Sequence, residues 1–281
     1  RHRQRLTIIP QKIMLRLLKS NNPANYIVAF MLMLALWAYR FIAMPPTISV
    51  GAMNSYFFPV LFDGTFIQYL LASAAFRLTF AFASYLAKAN FKYQIVGSGY
   101  QIPTIFFVIL SGMLITAQSF IPEQIASFLV AFSVLQIFGT YNKAEAIPQC
   151  LNAGYLLGLA VVFAYKYIFL FPIVLIIIKI VKATTWRDIA SFIIAFLFVP
   201  AIFACLVWLY GDWNEMTNSI SDELTKLIFG EKYNLTNYLT MVPVVVSALA
   251  IVASYFGMNV SRKTSEMKFY TSLVFLSFAE I

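Results

Sequence analysis

Histidine and cysteine are almost absent from this 281-residue sequence, which holds one His and two Cys. The histidine, His2, lies in a basic N-terminal stretch, and the two cysteines, Cys150 and Cys205, lie in apolar runs without metal-ligand spacing. This scarcity argues against a disulfide framework, haem ligation and a metal site built from His or Cys. We therefore expect neither a bound metal nor a cofactor.

Charge is also scarce, because only 11% of the residues are charged while 61% are hydrophobic and the mean hydropathy is +0.81. A chain with so few polar groups cannot cover the surface of a soluble protein of its size, and it predicts an integral membrane protein. The formal net charge of +9 comes from bases that flank apolar runs, which is how membrane orientation is encoded. We expect membrane lipids as partners and no nucleic acid.

The apolar runs predict an all-α fold, a polytopic transmembrane bundle of about eight or nine helices. We divide the chain into a cytoplasmic amphipathic leader, residues 1–25, and a single transmembrane domain, residues 26–281, with outer loops at 44–65 and 211–238. Hydrophobic spacing in the second loop predicts an amphipathic helix that caps the bundle. Aromatic residues at span ends are interpreted as interfacial, among them Trp37, Trp186, Trp208, Tyr210 and Trp213. The predicted spans are 26–43, 66–87, 102–120, 125–140, 150–165, 167–181, 188–210, 239–258 and one from about 269.

The longest apolar stretch, residues 149–182, decides how many helices the bundle contains and on which side each later loop lies. As one helix it would be roughly 50 Å long, against a hydrocarbon core of about 30 Å. We therefore predict a short helical hairpin that turns at Tyr165-Lys166-Tyr167. Its first arm holds Gly154 and Gly158, a Gly-x-x-x-Gly pair that allows another helix to approach closely.

The distribution of Lys and Arg supports the hairpin and sets its orientation. With the hairpin, 15 of these residues fall on the N-terminal side and four on the other; with a single helix the counts become 11 and seven. Cytoplasmic loops carry the excess of positive charge. The hairpin is preferred, with the N-terminus in the cytoplasm.

Three charged residues are candidates for a catalytic or ligand-binding role. Arg77 lies near the middle of the second span, where an arginine costs about 2.5–3.5 kcal/mol, and we expect it to face the bundle interior as a ligand-binding or a packing residue. Asp63, in the first outer loop, is a candidate catalytic base or a solvated carboxylate. Lys166, at the hairpin turn, either binds an anionic lipid head group or only extends its side chain to place the ammonium group at the membrane surface.

Two segments carry a resemblance to known families. Residues 17–26, LLKSNNPANY, and 152–160, NAGYLLGLA, resemble an uncharacterised family of polytopic membrane proteins from Bacteroidota, which implies the bacterial inner membrane and no established activity. The Gly-Leu-Ala hairpin is also similar to the helix-hairpin signature of type C, polyprenyl-phosphate-dependent glycosyltransferases. That resemblance implies a catalytic acid in the first outer loop, a position that Asp63 alone matches. The acidic pair near the first span and the large outer domain of such enzymes are missing from this sequence.

These observations leave three functions open. The first is a membrane transferase that acts on a polyprenyl-phosphate-linked sugar or glycan at the outer leaflet, with Asp63 as base and Arg77 and Lys166 at the lipid phosphate. The second is a non-enzymatic assembly subunit of a cell-envelope complex, in contact with other membrane proteins. The third is a small-molecule transporter, which the shortage of acids within the spans disfavours.

Overall fold

The computed structural model describes residues 23–43, 65–93, 102–113, 122–141, 143, 145–181 and 185–229. All regular structure in these ranges is helical, as the composition predicts. The described residues form eight α-helices: α1 Pro23–Ala43, α2 Thr65–Tyr93, α3 Ile102–Met113, α4 Pro122–Phe138, α5 Ile147–Phe163, α6 Leu170–Val181, α7 Trp186–Tyr210 and α8 Trp213–Phe229. A 3₁₀ turn, Tyr165–Phe169, lies between α5 and α6.

One of the described helices, α7, is long and apolar enough to cross a membrane. The stretches Asn25–Ala38, Pro103–Gly112, Pro122–Phe138 and Ile147–Phe163 are apolar but shorter. The first outer loop, the spans predicted at 239–258 and from 269, and most of the leader lie outside the described residues.

The chain divides into two compact units, and helices α1 to α3 belong to the first. Helix α3 packs against both α1 and α2, and Gly112 of α3 faces the Leu36 side chain of α1. Trp37 of α1 is completely buried and meets the Phe76 ring edge-on at 5.4 Å between centroids. The interpretation of Trp37 as an interfacial residue is therefore wrong, because the indole fills the core between the helices. The buried core consists of Met33, Trp37, Ala75, Ala83 and Val108.

Helices α4 to α8 belong to the second unit, in which α5 packs against both α4 and α7. The α4 and α5 helices are antiparallel. The Ser133 hydroxyl of α4 donates a hydrogen bond to the Ala153 carbonyl of α5 at 2.8 Å, and Ser127, near the start of α4, is hydrogen-bonded to Tyr167 beyond the end of α5.

Helices α5 and α7 run parallel to each other, and this relation requires the chain to turn back between them. The start of α5 is joined to the start of α7 by a hydrogen bond from the Ala146 N–H to the Asp188 carboxylate, at 3.3 Å. Further along, Gly154 faces Phe192 and Gly158 faces Phe196. The segment from the end of α5 to the start of α7 must therefore return along the unit. The predicted hairpin is confirmed, with both of its ends at the same end of the unit.

Helix α8 covers the end of α5 and α7 that lies beside the turn. Its Met216 side chain is buried against Val162, Phe203 and Val207, with Ile220 packed beside it. The opposite side of α8 is exposed and polar, with Glu215, Asn218 and Asp222. The prediction of an amphipathic helix in the 211–238 loop that caps neighbouring helices is thus confirmed within this unit.

Candidate functional site

The predicted site residues are distributed over separate parts of the chain. Asp63, the candidate catalytic base, lies outside the described residues. Arg77 is on α2 in the first unit, whereas Lys166, Gly154 and Gly158 are in the second. The roles given to these residues from the sequence remain predictions, and the structure supplies the surroundings of all except Asp63.

Arg77 is exposed and lies outside the core of the first unit. The expectation that it faces the interior of the whole bundle stays a prediction. The core of the first unit takes the alanine-rich side of α2, including Ala72, Ala75 and Ala83. These short side chains allow the neighbouring helices to pack closely, whereas a buried guanidinium would need an acidic partner. Among the residues that the structure describes, Arg77 makes no hydrogen bond or ion pair.

The exposed side of α2 has a regular pattern around Arg77. Positions 70, 77, 81 and 88 fall within roughly 40° of one another at 100° per residue, and all four are exposed. Ser73 and Ser84, which lie between them, are partly buried. We call this surface the α2 stripe, consisting of Leu70, Ser73, Arg77, Ala81, Ser84 and Lys88.

The two serines of the α2 stripe use their hydroxyl groups within α2 itself. Ser73 Oγ donates to the Leu70 carbonyl at 2.7 Å and Ser84 Oγ to the Phe80 carbonyl at 2.9 Å. Because both hydroxyls are hydrogen-bonded within α2, Ser73, Ala81 and Ser84 offer only short side chains around Arg77. Small side chains of this kind allow two helical backbones to come close together in a membrane.

The turn between α5 and α6 is a second concentration of polar groups. Helix α5 ends at Phe163, and the extended backbone of Ala164 (φ −151°, ψ 111°) leads into the 3₁₀ turn. Lys166 is half-buried, with its Nζ 5.7 Å from the centroid of the Tyr167 ring. The Tyr167 hydroxyl is hydrogen-bonded to Ser127 Oγ, and Ser127 is also bonded to the Glu123 carbonyl at 2.8 Å. These bonds fix the turn to the start of α4.

The contact between α5 and α7 depends on the Gly-x-x-x-Gly pair. A Cβ at Gly154 would lie 2.4 Å from the Phe192 carbonyl oxygen, and one at Gly158 would lie 2.6 Å from the Phe196 carbonyl oxygen. Both neighbours are backbone atoms of α7, which cannot move without shifting the whole helix. At both positions the absence of a Cβ leaves room for the α7 backbone.

Asp188 is a structural residue that the sequence interpretation missed. Its side chain is completely buried, and it accepts hydrogen bonds from the Thr185 N–H at 3.2 Å and the Thr185 hydroxyl at 2.9 Å as well as from Ala146. Thr185 and Asp188 form a capping box at the start of α7. The signal was present in the sequence as Thr-Trp-Arg-Asp directly before a long apolar run.

The described residues offer no cluster of three or more His, Cys, Asp or Glu side chains that could hold a metal ion. Comparisons with protein-family models, curated proteins and solved structures find no match to this chain. The class that the described residues define is a helical protein, and one of their helices is long and apolar enough to cross a membrane. The α2 stripe is its candidate functional surface.

Proposed function

We propose that this chain is an integral membrane protein that acts as a non-enzymatic assembly subunit, with the α2 stripe as its contact surface for another membrane protein. Helix α7 supports the proposal that the protein is embedded in a membrane. Its exposed side is apolar over several turns, with Ile194, Leu197, Phe198, Ile202 and Leu206. Exposed tryptophans, Trp186 and Trp208, stand at its two ends, about 33 Å apart. That separation matches a hydrocarbon core of about 30 Å bounded by interfacial aromatic residues.

The single observation that carries the assembly role is the position of Arg77 on an exposed surface of small side chains. A surface that faced only lipid would have no use for a charge near the middle of a helix, since such a charge is costly in hydrocarbon. A surface that faces another helix accommodates both the charge and the small residues, because a close partner covers the guanidinium. The proposal therefore places a partner helix, and not lipid alone, against the α2 stripe.

The transferase hypothesis needed Arg77 in the wall of a cavity below Asp63, facing a lipid phosphate. An Arg77 directed away from the core of its unit does not favour that arrangement. No observation on the described residues favours the enzyme or the transporter over an assembly subunit.

Our orientation proposal keeps the N-terminus in the cytoplasm of a bacterial inner-membrane protein. It rests on the excess of Lys and Arg on that side. The polar outer side of α8, with Glu215, Asn218 and Asp222, is then directed to the opposite aqueous phase.

The size of the particle that contains this chain tests the assembly role. The protein is extracted from its native membranes in a mild detergent, and its mass is compared by native electrophoresis and light scattering for wild type, Ala81→Trp and Ile27→Trp. Ala81 lies in the α2 stripe, while Ile27 is exposed on α1 and provides the matched control. We expect wild type and Ile27→Trp to run in one larger complex and Ala81→Trp to run as a single chain. A wild-type chain that is monomeric in every mild detergent would contradict the proposal.

A further inference from the structure

If α2 crosses the membrane, as the sequence predicts for residues 66–87, Arg77 lies at a depth from which its charge cannot be satisfied at either membrane surface. Helix α2 has 29 residues, which makes it about 44 Å long, and Arg77 is the thirteenth of them, about 3 Å from the midpoint. If α2 crosses the membrane, the guanidinium begins well inside the hydrocarbon core. Lipid phosphates and bulk water are then beyond the reach of a single side chain.

The first unit itself does not supply a counter-ion in its described part. The residues beside Arg77 on the α2 stripe are Ser73, Ala81 and Ser84, whose hydroxyl groups are already bonded to α2 carbonyls. Helices α1, α2 and α3 contain no Asp or Glu. The charge must therefore be neutralised by a group that comes from outside these three helices.

The chemistry of that group follows from the geometry of a helix pair. The carbonyl groups of a regular transmembrane partner helix are already hydrogen-bonded within that helix, so they offer little to a guanidinium. A carboxylate offers a full negative charge and two oxygens that match the planar guanidinium fork. The short side chains around Arg77 allow a partner helix to come close enough for an Asp or Glu side chain to reach the guanidinium.

We infer that the partner of the α2 stripe is a transmembrane helix with an Asp or Glu near its own midpoint, which pairs with Arg77 inside the membrane. This inference rests on the proposed assembly role and adds the chemical character of the partner. It also explains why Arg77 is directed outward. A buried ion pair between two subunits forms only when both are present, so the charge makes assembly selective for a partner with an acid at the right depth.

Designed transmembrane peptides test this inference directly. Three peptides share one Leu/Ala host of membrane-spanning length and differ at the central position, which is Glu, Gln or Lys. Each is labelled and reconstituted with the full-length, labelled protein in vesicles of zwitterionic lipid, and association is measured by energy transfer. We expect wild type to bind the Glu peptide about tenfold more tightly than the Gln peptide, the scale of an interhelical polar pair in a membrane.

Charge reversal at Arg77 supplies the sharper comparison. Arg77→Gln should remove the preference for the Glu peptide, and Arg77→Glu should transfer the preference to the Lys peptide. Lys92→Gln is the matched control, because Lys92 is an exposed base on the same helix but outside the α2 stripe, about 22 Å nearer the helix end. It should leave the preference for the Glu peptide unchanged. Because Arg77 is exposed, these substitutions leave the core of the first unit intact.

Three results would overturn the inference. They are equal binding of the Glu and Gln peptides to wild type, an unchanged preference in Arg77→Gln, and no binding of any peptide. If the particle-size experiment shows a complex that Ala81→Trp dissociates while the peptides show no preference, the assembly role stands and the carboxylate partner is wrong. If wild type is monomeric and binds no peptide, both proposals fail.

Discussion

The carbonyl oxygen of Phe196 in α7 is directed at Gly158 in α5, where it lies 2.6 Å from the position that a Cβ on Gly158 would take. The residue four positions after Phe196 is Pro200, which has no N–H and so cannot supply the usual helical hydrogen bond to this carbonyl. The proline frees an acceptor, and the glycine allows the α5 backbone to approach it. Such close backbone contacts allow weak Cα–H hydrogen bonds between helices.

Substitution of either glycine by alanine should weaken the second unit. Gly154→Ala and Gly158→Ala each force a methyl group against a carbonyl of α7, and overpacking of this kind costs about 1–3 kcal/mol. Thermal unfolding of the purified protein in detergent measures the loss. Asn152→Ala, at an exposed position of the same helix, serves as the control and should stay within about 0.5 kcal/mol of wild type.

Asp188→Asn should loosen the start of α7 from the start of α5. The substitution replaces one of the two carboxylate oxygens by an NH2 group, so either the two bonds from Thr185 or the bond from Ala146 lose their acceptor. A buried donor without its acceptor costs about 1–3 kcal/mol. Hydrogen exchange should be faster at the Thr185 or the Ala146 amide, whichever faces the NH2 group. Asp222→Asn, an exposed acid on α8, should leave these amides protected, and equal exchange in both variants would show that the Asp188 bonds contribute nothing.

The two tryptophans Trp37 and Trp186 should respond differently to truncation. Trp37 is completely buried against Phe76, so Trp37→Ala opens a large cavity and should cost about 3–5 kcal/mol in unfolding free energy. Trp186 is 75% exposed at the start of α7, and Trp186→Ala should change the unfolding free energy by less than about 0.5 kcal/mol. Unfolding curves of the two variants in the same detergent measure both changes in unfolding free energy. Similar losses would mean that Trp37 does not lie in the core.

Cysteine labelling tests the proposed orientation. In a background with Cys150 and Cys205 replaced by alanine, single cysteines are placed at Asn218 on α8 and at Lys143 between α4 and α5, both exposed positions. A membrane-impermeant maleimide added to intact cells should label position 218 at once and position 143 only after permeabilisation, because the basic end of the hairpin is cytoplasmic. The reverse order of labelling would invert the topology.

The sequence by itself determined those features that follow from composition and from the spacing of residues within one segment. The helical class follows from composition, and the break at Tyr165-Lys166-Tyr167 follows from the length of the apolar run. The amphipathic helix α8 follows from its hydrophobic spacing, since one side of it is polar and the other packs on Phe203. The Gly154 and Gly158 contact belongs to this group as well, because close approach of backbones needs residues without a Cβ.

Only the tertiary structure decided which side of each apolar helix faces the core. In a soluble protein the polar side of a helix marks its exposed surface, but exposed and buried sides are both apolar in α1 and α7, so the sequence contains no corresponding signal. For this reason Trp37, expected at the interface, is in the core of the first unit, and Arg77 lies outside that core. Asp188 is buried because the parallel packing of α5 and α7 brings the Ala146 N–H to its carboxylate, a contact between residues far apart in the sequence.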